Sequence, residues 1–198
     1  MENPAETHMK AAKRILRYLR GTLEYGMFYS ASDKFKLMGY CDTDYARDID
    51  DSKSTTGFIF FLGNNAISWC SKKQPIVTLS TCEAKYVAAT TCACHVIWLK
   101  ILLKELHLEQ AKSTKIMMDN KLATALAKNP IFHDRSKHIE PKYHFIRQCI
   151  ENMHVEVEYV KSLDQVADIF TKTLKYIAFQ KLRIMIRVGK IIKFKEKC

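Results

Sequence analysis

Lys36-Leu37-Met38-Gly39-Tyr40-Cys41-Asp42-Thr43-Asp44-Tyr45-Ala46, then an acidic loop, then Lys53-Ser54-Thr55-Thr56-Gly57, is the stretch that decides how the rest of the chain is read. Apolar residues lead straight into Asp42 and Asp44, which predicts a strand that aims carboxylates off the edge of a sheet. The two acids are two positions apart, so they share a face if the strand continues that far. Carboxylates at a strand end either shape a turn or bind a metal. This stretch alone leaves both readings open.

Working outward, Gly57–Leu62 is continuously apolar, as strands covered on both faces are. Gly63-Asn64-Asn65 signals a turn, and Ala66–Cys70 returns as the second arm of a hairpin. Lys72 and Lys73 then read as an exposed basic loop. Ser80-Thr81-Cys82-Glu83 fits a capping box and opens a long helix, Thr81–Leu106, apolar nearly all round from Val96 to Leu103. A short strand, Lys115–Met118, ends at Asp119. A helix over Asn120–Lys128 stops at Asn129-Pro130. The loop Ile131–His138 is dense in base, with His133, Arg135, Lys137 and His138. Further on come a helix to Asn152, an alternating strand Val155–Tyr159 and a last domain helix, Asp164–Thr171. Before the domain, an amphipathic basic helix covers Met9–Leu19, and Leu23–Tyr29 is a short strand. The order of elements predicts an α/β fold, a mixed sheet with helices packed on it.

With 198 residues, 47% of them hydrophobic, the chain can bury one full core. The net charge is +11, but residues 174–198 hold 8 Lys/Arg against 1 Asp/Glu. The middle of the chain is nearly neutral, so the charge that suits a polyanion is concentrated in a basic tail. Removing that tail is expected to leave the fold intact. Seven cysteines without regular spacing, and no apolar run at the start, predict a reduced intracellular protein. Cys92, Cys94 and His95 imitate a metal cluster, but Cys92 and Cys94 point about 200° apart on a helix, so buried thiols are expected there. Lys100 interrupts the longest apolar helical run, and no membrane partner is expected.

Four acids fall at similar kinds of place: Asp42 and Asp119 at strand ends, Glu83 and Asp168 in first helical turns. Each has an ordinary structural role available, as a turn residue, a cap or a partner of the helix dipole. Their order within a longer set of motifs distinguishes them. That set comprises Gly39-Tyr40-Cys41-Asp42-Thr43-Asp44-Tyr45-Ala46, Lys53-Ser54-Thr55-Thr56-Gly57, Ile67-Ser68-Trp69, Ser71-Lys72-Lys73-Gln74 and Glu83-Ala84-Lys85-Tyr86. It continues with Asp119-Asn120, His133-Asp134-Arg135-Ser136-Lys137-His138-Ile139, Tyr143-His144-Phe145 and Asp164-Gln165-Val166-Ala167-Asp168-Ile169-Phe170-Thr171-Lys172.

In these motifs the chain resembles the ribonuclease H domain of the Pol polyprotein of copia-type LTR retrotransposons, over residues 36–175. Residues 1–35 resemble the end of the reverse transcriptase that precedes it, which would make Met1 an internal residue or an opportunistic start. Residues 176–198 are then a basic C-terminal tail. The resemblance implies a ribonuclease H-like fold with a five-stranded mixed sheet flanked by helices. It also implies catalytic and metal-binding roles for Asp42, Glu83, Asp119 and Asp168, with two Mg²⁺, or Mn²⁺, as cofactors. The implied reaction is hydrolysis of the RNA strand of RNA–DNA hybrids during reverse transcription, next to the reverse transcriptase of the same polyprotein. The implied location is a cytoplasmic virus-like particle or the nucleus.

Lys72, Lys73, His133, Arg135, Lys137 and His138 are candidate phosphate contacts. The chain departs from the family at Tyr45, where Trp is usual, at Arg47, where Gly is usual, and at Lys85, where an acid is usual. Lys85 lies about 200° round the helix from Glu83, so it need not touch the metals. Four converging acids should repel, so Asp119→Asn is expected to stabilise the metal-free protein. The alternative reading is a decayed or repurposed copy that binds nucleic acid without cutting it.

Overall fold

The apolar run of the first hairpin arm, Gly57–Leu62, explains the layers of the molecule. In the computed structural model, which describes residues 4–31, 35–119 and 140–191, Phe58 and Phe60 face one core while Ile59 and Phe61 face another. Successive side chains of a strand point to opposite faces. A strand apolar at every position therefore needs cover on both sides, and this one has it.

The main sheet has five strands: β2 (Leu37–Asp44), β3 (Thr55–Leu62), β4 (Asn65–Lys73), β5 (Thr114–Met118) and β6 (Val155–Tyr159). Their spatial order is β4-β3-β2-β5-β6. β2, β3 and β4 are antiparallel neighbours, whereas β5 runs parallel to both β2 and β6. This is the five-stranded mixed sheet flanked by helices that the resemblance implies.

One face is covered by α2 (Thr81–Glu105) and by α3 (Glu140–Glu151) packed beside it. Ser80 caps α2 by accepting a 3.1 Å bond from the Glu83 N–H. Val96, Leu99 and Leu103 are buried against Phe58, Phe60, Ile116 and Val157. By length and composition α2 is also long and apolar enough to cross a membrane. Lys100 does not prevent that, contrary to the sequence reading. Its apolar character is accounted for by its place under the sheet, where more than half of the stretch is buried.

The opposite face is covered by chain that sequence alone reads differently. The expected last domain helix is instead two 3₁₀ turns, Ser162–Asp164 and Val166–Phe170. They are separated at Gln165, whose backbone is extended at φ −76°, ψ 95°. Gln165 is fully buried, donates to the carbonyls of Cys41 and Met117, and accepts from the Ala167 N–H. These three side-chain bonds hold the chain out of a helix.

The tail is structured as well. α4 (Tyr176–Met185) lays Leu182 and Ile186 inward, and β7 (Val188–Lys190) pairs antiparallel with β1 (Tyr25–Met27). Ile186 joins Ile59, Phe61, Ala66 and Val166 in the second core. This packing argues against the expectation that the segment is dispensable to the fold, because its removal would uncover that core. α1 (Glu6–Gly21), by contrast, buries none of its residues. The helix expected over 120–128 and the basic loop around His133, Arg135, Lys137 and His138 lie outside the described residues.

Candidate metal centre

β2 and β5 stop pairing at Tyr40 and Met117 and then diverge. The fork of two parallel strands in an open sheet is where α/β proteins commonly place a site. Asp42 lies two residues beyond the last pair on β2, and Asp119 immediately follows β5. Gln165 closes the base of the fork by bonding a carbonyl from each strand, at 3.1 and 3.3 Å. The same segment delivers Asp168 three residues later. Gly57, paired with Asp42 across β3, admits this segment. A methyl group there would come within 2.6 Å of Thr171 Cγ2, 2.9 Å of Phe170 Cβ and 3.1 Å of the Ala167 carbonyl.

Asp42, Asp119 and Asp168 thereby converge, each offering an oxygen within 4.8 Å of the others. Asp42 and Asp168 are buried, and Asp119 is nearly so. Asp42 Oδ2 accepts a 2.8 Å bond from the Thr171 hydroxyl. Asp42 Oδ1 and Asp168 Oδ1 are buried without any hydrogen bond. Orphaned buried carboxylate oxygens that point into one small volume fit a hard divalent cation, which takes oxygen ligands. The donor set therefore suits Mg²⁺ or Mn²⁺, with Asp42, Asp119 and Asp168 as the residues that would hold it.

Two lysines share this volume. Lys172 Nζ lies 3.0 Å from Asp168 Oδ2 and 3.4 Å from Asp42 Oδ2. Lys85 Nζ bonds Asp119 Oδ1 and lies 3.4 Å from Asp42 Oδ1. Lys85 reaches the acids although its place on the helix does not require it to. Helical angle fixes where Cβ points, but a lysine has four further carbons with which to turn its ammonium back toward charge. These charges set the acids' protonation. Burial works to raise the Asp42 pKa, but Lys172 and Lys85 outweigh it and hold it below the usual carboxylate value. Asp168 goes the other way: burial, then the Asp42 charge, pushes it up to about 7. Two carboxylates of one site are thus driven apart in pKa.

The remaining candidates lie elsewhere. Glu83 is buried but falls outside the three-aspartate group. Its Oε2 accepts a 2.7 Å bond from the Leu79 N–H, so it caps α2. Asp44 shares the Asp42 face but pairs with Arg47 at 3.0 Å. Lys72 and Lys73 are not in a loop: they end β4, at the same end of the sheet as Asp42, because the ladder runs on to Thr55 and Lys73. Lys72 is exposed, and Lys73 pairs with Asp48 at 2.5 Å. Cys92 is buried as expected, Cys94 is exposed, contrary to that expectation, and His95 bonds the Ser68 hydroxyl at 2.7 Å.

Sequence reasoning missed three positioning residues. Thr171 orients Asp42, and Gln165 ties the fork. Buried Gln74 donates from Nε2 to Thr43, Thr56 and the Ala84 carbonyl, fixing the start of α2 to the sheet.

Fold and acid cluster together define a ribonuclease H-like protein with a site suited to metal-dependent nuclease chemistry. LC11-RNase H1, solved in complex with RNA/DNA hybrid, superposes with a TM-score of 0.52 at 12% identity, covering 69% of this chain and 94% of that one. No family model matches the chain. The chain is 42% identical over 191 residues to the retrovirus-related Pol polyprotein from transposon RE1 of Arabidopsis thaliana, and 43% over 180 residues to that from transposon TNT 1-94 of Nicotiana tabacum. These alignments cover 96% and 91% of this chain but 13% of either polyprotein. The chain belongs to the copia-type retrotransposon Pol polyproteins, as their ribonuclease H domain.

Proposed function

We propose that this chain hydrolyses the RNA strand of RNA–DNA hybrids endonucleolytically, as a step of reverse transcription. The convergence of Asp42, Asp119 and Asp168 with orphaned buried oxygens carries this reading. Divalent cations bound there, two Mg²⁺ or Mn²⁺ in this proposal, would supply an activated water and stabilise the leaving oxygen. The chain's own residues do the positioning. Thr171 fixes one Asp42 oxygen, Gln165 sets the fork, and Gly57 lets Asp168 approach. Glu83 is proposed as the fourth acid, with Oε2 engaged by the Leu79 N–H. The hybrid as partner is supported by the bound state of LC11-RNase H1. The adjacent reverse transcriptase as partner is supported by the polyprotein relatives, which extend well beyond this chain. A virus-like particle or the nucleus is the corresponding place of action. A hybrid is recognised by shape, phosphates and 2′-hydroxyls, for which Lys72 and the 133–138 segment are the proposed contacts.

The test is a gel assay on a hybrid labelled on either strand, with Mg²⁺, Mn²⁺ or chelator. RNA-strand cleavage should require metal and vanish in Asp42→Asn, and duplex DNA should stay uncut. Lys85 among the acids favours the second reading, a copy that binds without cutting. Folded wild-type protein that cuts in neither metal would establish it.

A further inference from the structure

We propose that Lys85 is a built-in counter-cation of the carboxylate cluster. Its ammonium takes the place that a divalent cation must occupy, so metal binding requires Lys85 to withdraw. The inference rests on reading the cluster as a cation site.

The two lysines of the cluster are not equivalent. Lys172 follows the second 3₁₀ turn, and its side chain is 30% exposed. It can swing into solvent without disturbing the core. The Lys85 side chain is 10% exposed and is rooted in the buried first turns of α2, between Ala84 and Tyr86, which are 0% and 1% exposed. Its ammonium lies on the Oδ1 side of Asp42, where that oxygen has no hydrogen bond, and bridges to Asp119. Lys172 occupies the Oδ2 side. Lys85 thus sits between the two strand ends, which is where an ion shared by Asp42 and Asp119 would sit.

Three carboxylates against two ammonium groups nearly balance. A buried acid cluster without cations would be strained by repulsion, and Lys85 offsets that strain between Asp42 and Asp119. It therefore also offsets part of the electrostatic gain that a cation would bring there. The incoming ion must outcompete a charge that is covalently tethered and already desolvated.

The experiment is titration of Mn²⁺ into wild type, Lys85→Met, Lys85→Gln and Asp42→Asn, with affinity read by calorimetry and folding by circular dichroism. Either neutral Lys85 variant should bind Mn²⁺ about tenfold tighter than wild type or better. Asp42→Asn should abolish binding. A folded Lys85 variant that binds no tighter than wild type, while Asp42→Asn still abolishes binding, overturns the inference and leaves the cation site standing. Mn²⁺ binding that is absent in all proteins, or indifferent to Asp42→Asn, overturns the cation site itself and the inference with it. Should both Lys85 variants fail to fold, a wild-type crystal structure with Mn²⁺ decides. The ammonium withdrawn from Asp42 and Asp119 supports the inference. An ammonium still bridging them beside the ion sinks it.

Discussion

Asp119 shows how a single contact reverses the sign of a substitution. Four bare acids would repel, and neutralising one would then stabilise the metal-free protein. Here the Asp119 carboxylate instead bonds Lys85 and accepts a 3.2 Å bond from Ser162 Oγ. Asp119→Asn removes the nearer of the two negative charges on a buried ammonium. Breaking one side of a buried ion pair is destabilising because the other charge is left poorly compensated. Asp42 still faces Lys85, and the amide keeps a hydrogen-bonding oxygen, so the cost should be at the low end, on the order of 1 kcal/mol. Metal-free Asp119→Asn should therefore melt about 2–4 °C below wild type. Melting above wild type would show that repulsion dominates after all. Cleavage of the hybrid should be lost in the same variant, since an amide is a poor ligand for a hard cation.

At the scale of elements, the site depends on the 3₁₀ segment reaching β3. Gly57 is what permits it, because any Cβ there overlaps Thr171 and Phe170. Gly57→Ala should cost about 1–3 kcal/mol as an overpacking change. Its larger effect should fall on the cluster. Thr171 and Asp168 must retreat together, which lengthens the 2.8 Å bond from Thr171 to Asp42. Cleavage and Mn²⁺ affinity should then both drop in a protein whose far-ultraviolet circular dichroism is unchanged. Wild-type affinity in Gly57→Ala would mean that β3 can shift without moving Asp168.

Across the whole molecule, segments from the first and last parts of the described chain meet. β1 pairs with β7, and α4 seals the face of the sheet that α2 does not reach. Leu182 is 3% exposed and Ile186 7%. Truncating a buried leucine to alanine typically costs about 2–5 kcal/mol, so Leu182→Ala should cut stability by that order in urea unfolding. Deleting residues 176–198 should go further and yield a protein that aggregates or unfolds without a cooperative transition. A cooperative, monomeric deletion protein would show that the second core is held by the 3₁₀ segment alone. The basic character of this segment and its packing role are compatible: Leu182 and Ile186 point inward, while Lys181 pairs at the surface with Asp164 at 2.6 Å.

The five strands of the main sheet and the long central helix were legible in the sequence because each rests on local signals. These are period-two alternation in β6, a doubly apolar run in β3, a turn at Gly63 and a capping serine before α2. Local pattern marks Asp119 as a strand-end carboxylate, whereas Asp42 lies within β2, which stays paired with β3 as far as Asp44. Three-dimensional placement decided the rest. Gln165 breaks a plausible helix because two strands part beside it and expose carbonyls that only its amide reaches. Glu83 caps α2 because the Leu79 N–H lies within reach of its Oε2. Lys85 enters the cluster because a flexible side chain goes where charge is unbalanced, not where its Cβ points. Local pattern determines which elements form. The partners that buried polar groups find depend on contacts between residues far apart in the chain, and those exist only once the sheet and its two layers have closed.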